Sequence, residues 1–200
     1  MLTPESKEAL AANYRNLLRE HRCSPEATQM SAEGQAFRFE KLAEIGDLSD
    51  HTVLDLGCGI GDFFPVLSQH HPDVQYTGLD ILPEMIDCAR TRFSGVEFLS
   101  RDILQDGLDR EFDYVLISAM FNNDIPDGTG FLKQMVAAAF AKCRIGLGFN
   151  FISNRVNFSS PGMAYHDPME VLGFCIDQLS RKVNLHHHYA RCDVSVFVYR

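Results

Sequence analysis

Val53-Leu54-Asp55-Leu56-Gly57-Cys58-Gly59-Ile60-Gly61-Asp62 is the stretch that decides how this chain is read. An apolar run closing on an acidic residue, three alternating glycines and a following apolar stretch through Phe63, Val66 and Leu67 predict a buried strand, a tight loop and a short helix. Gly57, Gly59 and Gly61 accept backbone geometries that a Cβ would block, and they let a ligand approach the main chain closely. The flanking acids, Asp55 and Asp62, are poor company for a pyrophosphate. They suit a nucleoside ligand that is uncharged or cationic.

Outward from that loop, strands and helices alternate. Thr52–Leu56 is the first strand, Val74–Asp80 the second, Val96–Leu99 the third, Phe112–Ser118 the fourth and Arg144–Phe151 the fifth. Helices are predicted from Pro83 to Phe93, from Gly130 to Ala141 and from Pro168 to Leu179, with prolines well placed in a first helical turn. Upstream, residues 5–20 carry an apolar stripe of Leu10, Tyr14, Leu17 and Leu18, and Cys23-Ser24-Pro25 ends that helix. A second helix spans 33–46, with Phe39, Leu42 and Ile45 at helical spacing and Gly46 as its stop. The βαβ order predicts a mostly parallel sheet with helices on both faces. Only Tyr189 to Asp193 separate the last strands, Val183–His188 and Val194–Tyr199, which must therefore pair antiparallel. The stretch 152–167 is the one long irregular segment.

The chain has 200 residues, enough for one domain with a sizeable core, and we read 1–200 as that domain with 1–46 as a helical cap. Its formal charge of −9, from 27 acidic and 18 basic side chains with no basic cluster, argues against a nucleic-acid partner. No apolar stretch reaches the roughly 20 residues needed to cross a bilayer, so no membrane partner and a cytoplasmic location are expected. The six cysteines, at 23, 58, 88, 143, 175 and 192, show no close pairing and read as reduced structural thiols. Neither they nor His186-His187-His188, whose middle ring strand alternation sends to the opposite face, make a metal site.

In such sheets ligands bind at the carboxyl ends of the strands. Gly57, Gly59 and Gly61 form a floor there. Asp80 ends the second strand, where a carboxylate accepts hydrogen bonds from both hydroxyls of a ribose. Asp102 follows the third strand, and with the main chain at Ile103 it suits the amino group and ring nitrogen of adenine. Ser118 to Phe121 follow the fourth.

Together, Asp55 to Gly61, Leu79-Asp80-Ile81 and Ser100-Arg101-Asp102 resemble the class I S-adenosylmethionine-dependent methyltransferases, over nearly all of residues 35–200. The resemblance implies a Rossmann-like seven-stranded sheet, mostly parallel with a C-terminal antiparallel strand. It also implies S-adenosyl-L-methionine as cofactor and S-adenosyl-L-homocysteine as product. Carried over by position, Asp55, Gly57, Cys58 and Gly59 surround the methionine part, and Asp80, with Ile81 and Met85, holds the adenosine. Asp102 and Ile103 contact adenine, Ser118 and Phe121 line the methyl side, and Arg38 reaches the cofactor carboxylate. More narrowly, Ser24-Pro25, Gln35 to Phe39, Asn150-Phe151, Pro168 to Cys175 and Val198 to Arg200 resemble small stand-alone proteins of biosynthetic gene clusters. Those relatives carry Trp near Met30 and a simpler Arg-His-Asp-Tyr where this chain has His186 to Tyr189. Both departures lie where a substrate contacts the protein.

The reading that follows is methyl transfer to an oxygen or nitrogen of a small metabolite by in-line displacement. His166 and Tyr165, with Asp167 beside them, are the candidate bases, and Asn150, Asn122 and Asn154 the orienting groups. Tyr14, Phe37 and Phe121 are expected to form an aromatic wall around the acceptor, and the protein to be a monomer or homodimer. The alternatives are a methyltransferase of RNA or protein, a non-catalytic cofactor-binding subunit and, less favoured, an NAD-dependent oxidoreductase, for which Asp62 crowds the helix start.

Overall fold

The computed structural model describes residues 3–29, 31–190 and 192–200; the expectation attached to Met30 lies outside them. Helix α1 (Pro4–His21) starts on Thr3, whose side chain accepts from the Ser6 amide, with proline in the first turn. A one-turn 3₁₀ helix (Pro25–Thr28) leads to α2 (Ala32–Ala43), capped by the Ser31 side chain. There follow β1 (Thr52–Leu56), α3 (Phe63–His70), β2 (Gln75–Asp80), α4 (Pro83–Arg92) and β3 (Glu97–Ser100). The chain continues through β4 (Phe112–Ile117), α5 (Gly128–Phe140), β5 (Cys143–Ile152), α6 (Pro168–Gln178), β6 (Val183–His186) and β7 (Asp193–Tyr199).

The strand order is β3-β2-β1-β4-β5-β7-β6. All neighbours are parallel except those of β7, which is antiparallel to both β5 and β6. The reversal between β1 and β4 opens a crevice beyond the strand ends, which is where a doubly wound sheet takes its ligand. Two cores lie on opposite faces. Phe131, Val136, Phe149, Phe151 and Val171 pack on one, and Phe39, Leu42, Phe63, Leu67 and Ile86 on the other.

Three expectations are corrected. Helix α2 ends at Ala43, short of Gly46, because Ile45 is drawn into the core and its carbonyl accepts from the Tyr199 hydroxyl of β7 at 2.9 Å. Strand β6 stops at His186, where its pairing with β7 ends against Ser195, so His187 and His188 lie beyond the ladder. The cysteines are not all free thiols: Cys23 and Cys88 are joined in a disulfide with a Cα–Cα separation of 5.6 Å, which ties the segment after α1 to α4. Among the described residues Cys58, Cys143 and Cys175 are buried free thiols. Spacing along the chain hid this pairing, since 65 residues separate the two partners.

Candidate functional site

The glycine loop is pinned to the end of β2. The amides of Gly57 and Cys58 both donate to the Leu79 carbonyl, at 2.7 and 3.0 Å, and the Gly59 amide donates to Asp80 Oδ2 at 3.0 Å. Gly57 and Gly61 have φ of 82° and 81°, in the left-handed region that favours glycine. At Gly61 a Cβ would also sit 2.9 Å from the Phe98 ring. Arg92 fastens the loop from α4, donating to the Ile60 carbonyl at 2.8 Å and pairing with Asp62 at 2.6 Å. Asp62 is thereby committed to holding the loop rather than facing the cleft.

Beyond the loop lies a cavity of about 190 Å³. Gly57, Cys58 and Gly59 form its floor, and Asp55, Asp80, Asp102 and Ser118 carry its polar groups, with Ile81, Met85 and Ile103 alongside. Asp80 accepts from Leu82 N through Oδ1 at 2.9 Å and from Gly59 N through Oδ2. Each of its oxygens keeps acceptor capacity for a ligand hydroxyl. Burial raises the Asp80 pKa against these backbone bonds. Asp55 is pushed up to about 7, first by burial and then by the nearby Asp80 and Asp62 charges, although the Tyr76 hydroxyl donates to it at 2.6 Å and acts in the opposite direction. The Cys58 thiol is driven well up, chiefly by burial, so it packs as a thiol rather than serving as a nucleophile. Ser118 Oγ is buried without a protein partner.

The roof is α1. Lys7, Leu10, Ala11 and Tyr14 fall at helical spacing and line the cavity together. Tyr14 thus stands where an acceptor-binding wall was expected, and its hydroxyl accepts from Asn123 Nδ2 at 3.1 Å. Met120, Phe131 and Met135 add apolar surface to the lining.

Several expected residues are elsewhere. Arg38 pairs with Asp193 at 2.8 Å and lines none of the cavity; Gln35 and Phe39 of the same helix do. Phe37 is half-exposed beside Tyr189, with ring centroids 5.8 Å apart. Phe121 belongs to the core with Phe131 and Phe149, and its carbonyl faces His166.

His166 is buried with both ring nitrogens engaged, Nε2 at 2.9 Å from the Phe121 carbonyl and Nδ1 at 3.1 Å from Thr129 Oγ1. A carbonyl only accepts, so Nε2 carries a proton, and the Thr129 hydroxyl, able to donate or accept, engages Nδ1. Such a ring fixes the loop after β4 and has no nitrogen free for a substrate. Tyr165 accepts from the Ser160 amide at 2.9 Å, outside the cavity.

Asn150 is buried, accepting from the Ala119 amide at 2.6 Å, and Asn122 is buried as well, while Asn154 is exposed. Asn150 Nδ2 and Asn122 Oδ1 have no protein partner. Sequence reasoning missed Lys7 and Asn123. Lys7 carried a legible signal, a lysine on the apolar face of its helix; Asn123, in a loop, carried none.

Residues 53–141 match the family described as a methyltransferase domain. A Mycobacterium tuberculosis protein (Rv1506c), whose name assigns it provisionally to the methyltransferases, is 28% identical over 156 residues, covering 74% of this chain and 92% of that one. A malonyl-[acyl-carrier protein] O-methyltransferase of Acetivibrio thermocellus is 42% identical over 88 residues, and the matched stretch spans 42% of this chain but only 31% of that enzyme. Among solved structures, the magnesium protoporphyrin IX methyltransferase of Synechocystis PCC 6803 with bound S-adenosylmethionine superposes with a TM-score of 0.72 at 17% identity, covering 98% of this chain and 97% of that one. The likeness to that solved structure is one of fold, and the match to the methyltransferase-domain family covers residues 53–141, a little under half of the chain.

Proposed function

We propose that this protein binds S-adenosylmethionine in the cleft above Gly57–Gly59 and transfers its methyl group to an oxygen or nitrogen of a small molecule by in-line displacement. The observation that carries the reading is the continuity of the cleft. One cavity is lined both by the glycine floor, Asp80 and Asp102 and by Tyr14, Asn123, Met120, Phe131 and Met135. The residues fit the cofactor: acceptor capacity remains on both Asp80 oxygens, the floor is free of side chains at Gly57 and Gly59, and Ser118 Oγ lacks a protein partner. When bound, the cofactor supplies a methyl group on a cationic sulfur that is already its own leaving group.

Asp80 then takes the ribose hydroxyls, Asp102 and the Ile103 main chain the adenine edge, and Asp55 and the loop the methionine part. What this chain adds to catalysis is placement. Tyr14 and Asn123 orient the acceptor, the apolar lining excludes water, and the reacting atoms are held near contact distance. The segment 1–46 serves as the cap over this site, and the protein works on its small-molecule substrate as a monomer or homodimer. The malonyl-carrier relative, an O-methyltransferase by name, supports oxygen as one acceptor atom.

Calorimetry tests the reading. S-adenosylmethionine and S-adenosylhomocysteine should bind in the micromolar range and NAD should not; binding of NAD alone would overturn the proposal. Replacing Asp80 by Ala removes two charge-assisted hydrogen bonds and should weaken S-adenosylhomocysteine binding by roughly 100-fold. Asp80→Asn keeps one acceptor oxygen and should fall between the two. Unchanged affinity in Asp80→Ala would remove this residue from the ribose site.

A further inference from the structure

The cavity under α1, at about 190 Å³, is smaller than the roughly 300–1,000 Å³ of ordinary ligand pockets. An outward movement of α1 enlarges it. What holds α1 down is uneven along its length. Ala11 is its one buried residue among those described. Arg15 pairs with Glu84 at 2.9 Å on the exposed side, and Tyr14 meets Asn123 at 3.1 Å. Near the N-terminal end of the helix, Lys7 Nζ lies 2.5 Å from Asp102 Oδ2, with side-chain exposures of only 19% and 16%. Asp102 Oδ1 is already accepting from the Leu104 amide at 2.9 Å. Just past the far end of α1, Cys23 is bonded to Cys88 of α4.

From this arrangement we propose that α1 is a lid that inhibits its own site, with Lys7 placing an ammonium on the carboxylate that the adenine amino group requires and with the Cys23–Cys88 bond as its pivot. The inference rests on the cofactor reading above. Lys7 and the adenine amino group are both donors toward Asp102 Oδ2, but the lysine is charged and tethered, so it competes at high effective concentration. The cofactor binds the fraction of molecules in which Lys7 has left Asp102, and its apparent affinity is reduced by that fraction. The geometry allows the movement. Lys7 lies about 24 Å along the chain from Cys23 at ~1.5 Å per helical residue, so a swing of about 15° at the pivot displaces Lys7 by about 6 Å.

Titration of S-adenosylhomocysteine into the full chain, followed by calorimetry, separates the outcomes. Lys7→Met and Lys7→Gln, which keep most of the length of the side chain and remove its charge, should each lower the dissociation constant roughly five- to tenfold. Raising sodium chloride should tighten binding to the wild type and leave both variants unmoved, because salt screens the ion pair they lack. Equal or weaker binding by the variants would overturn the lid and make Lys7 a bystander or a ligand contact. If the folded wild type and both variants all fail to bind, the cofactor reading itself falls, and the lid with it. Binding by the wild type without gain in the variants retires the lid alone.

Discussion

Breaking the Cys23–Cys88 bond is expected to lower the free energy of unfolding by about 4 kcal/mol. The bond closes a loop across a sequence separation of 65 residues. The loss of unfolded-chain entropy for a loop of that length corresponds to about 4 kcal/mol in the chain-entropy treatment. For a chain of 200 residues this is a fall in melting temperature of about 10 °C. Both cysteines are partly exposed, so serines in their place leave no buried unpaired hydroxyl to confuse the comparison. The measurement is denaturant or thermal unfolding of the oxidised protein against the Cys23→Ser/Cys88→Ser double variant, with reductant on the wild type as a second route to the same state. Coincident midpoints would mean that the cap and α4 stay associated without the bond. A cap that loosens first, ahead of the sheet, would appear as a separate early transition. The weak side-chain cover of α1, with Ala11 its one buried residue among those described, makes that the form the loss should take.

The parts of this molecule legible in its sequence are those set by short-range rules. Strand β1, the glycine loop and the acid at the end of β2 follow from an apolar run, a residue type that tolerates positive φ, and the period of the pleat. The antiparallel partner of β6 follows from a connection too short for a crossover. That Asp55, Asp80, Asp102 and Ser118 line one cavity was legible for the same reason, since a parallel sheet delivers the carboxyl ends of its strands to one edge. Positions on loops and on packed helices were not.

The expectation for Arg38 comes from the resemblance, which implies an arginine on the helix before β1. Its partner, Asp193, lies 155 residues away and starts β7, a strand whose place in the sheet no local pattern reports. His166 looked free because it sits in an irregular stretch. That stretch is pinned, its main chain bonded to Ile152 and Asn154, and the ring is folded inward between Phe121 and Thr129. Lys7 is the instructive miss. Leu10 and Tyr14 were recognised as a stripe, and a lysine three residues before Leu10 on that stripe announces a carboxylate across the interface.

The second large effect belongs to Asp55. Its carboxyl is raised from an ordinary value of 3.8 to about 7, principally because it is buried. Below pH 4 the folded and unfolded chains both hold this proton. Between about pH 4 and pH 7 the folded protein still holds it while the unfolded chain has released it, so stability falls as pH rises through that window. A shift of about three units is worth about 4 kcal/mol, all of it lost by pH 8. Asp55→Asn removes the titration and keeps an oxygen for the Tyr76 hydroxyl. The unliganded variant should therefore match the wild type near pH 4 and exceed its stability at pH 8.

The cofactor reverses the balance. A cationic ligand beside Asp55 favours the ionised carboxylate, so wild-type affinity for S-adenosylmethionine should rise as pH increases through 7, with release of a proton on binding. That proton is read directly, as a dependence of the calorimetric enthalpy on the ionisation heat of the buffer at pH 6.5. Asp55→Asn should bind more weakly, show a flat profile and give buffer-independent enthalpies. A wild type that is equally buffer-independent would place the ligand's positive charge away from Asp55. A variant no more stable than the wild type at pH 8 would show that Tyr76 already compensates the buried charge. The expected pairing of higher stability with poorer binding has one physical origin: the acid that suits a cation is the acid the folded chain is least able to ionise alone.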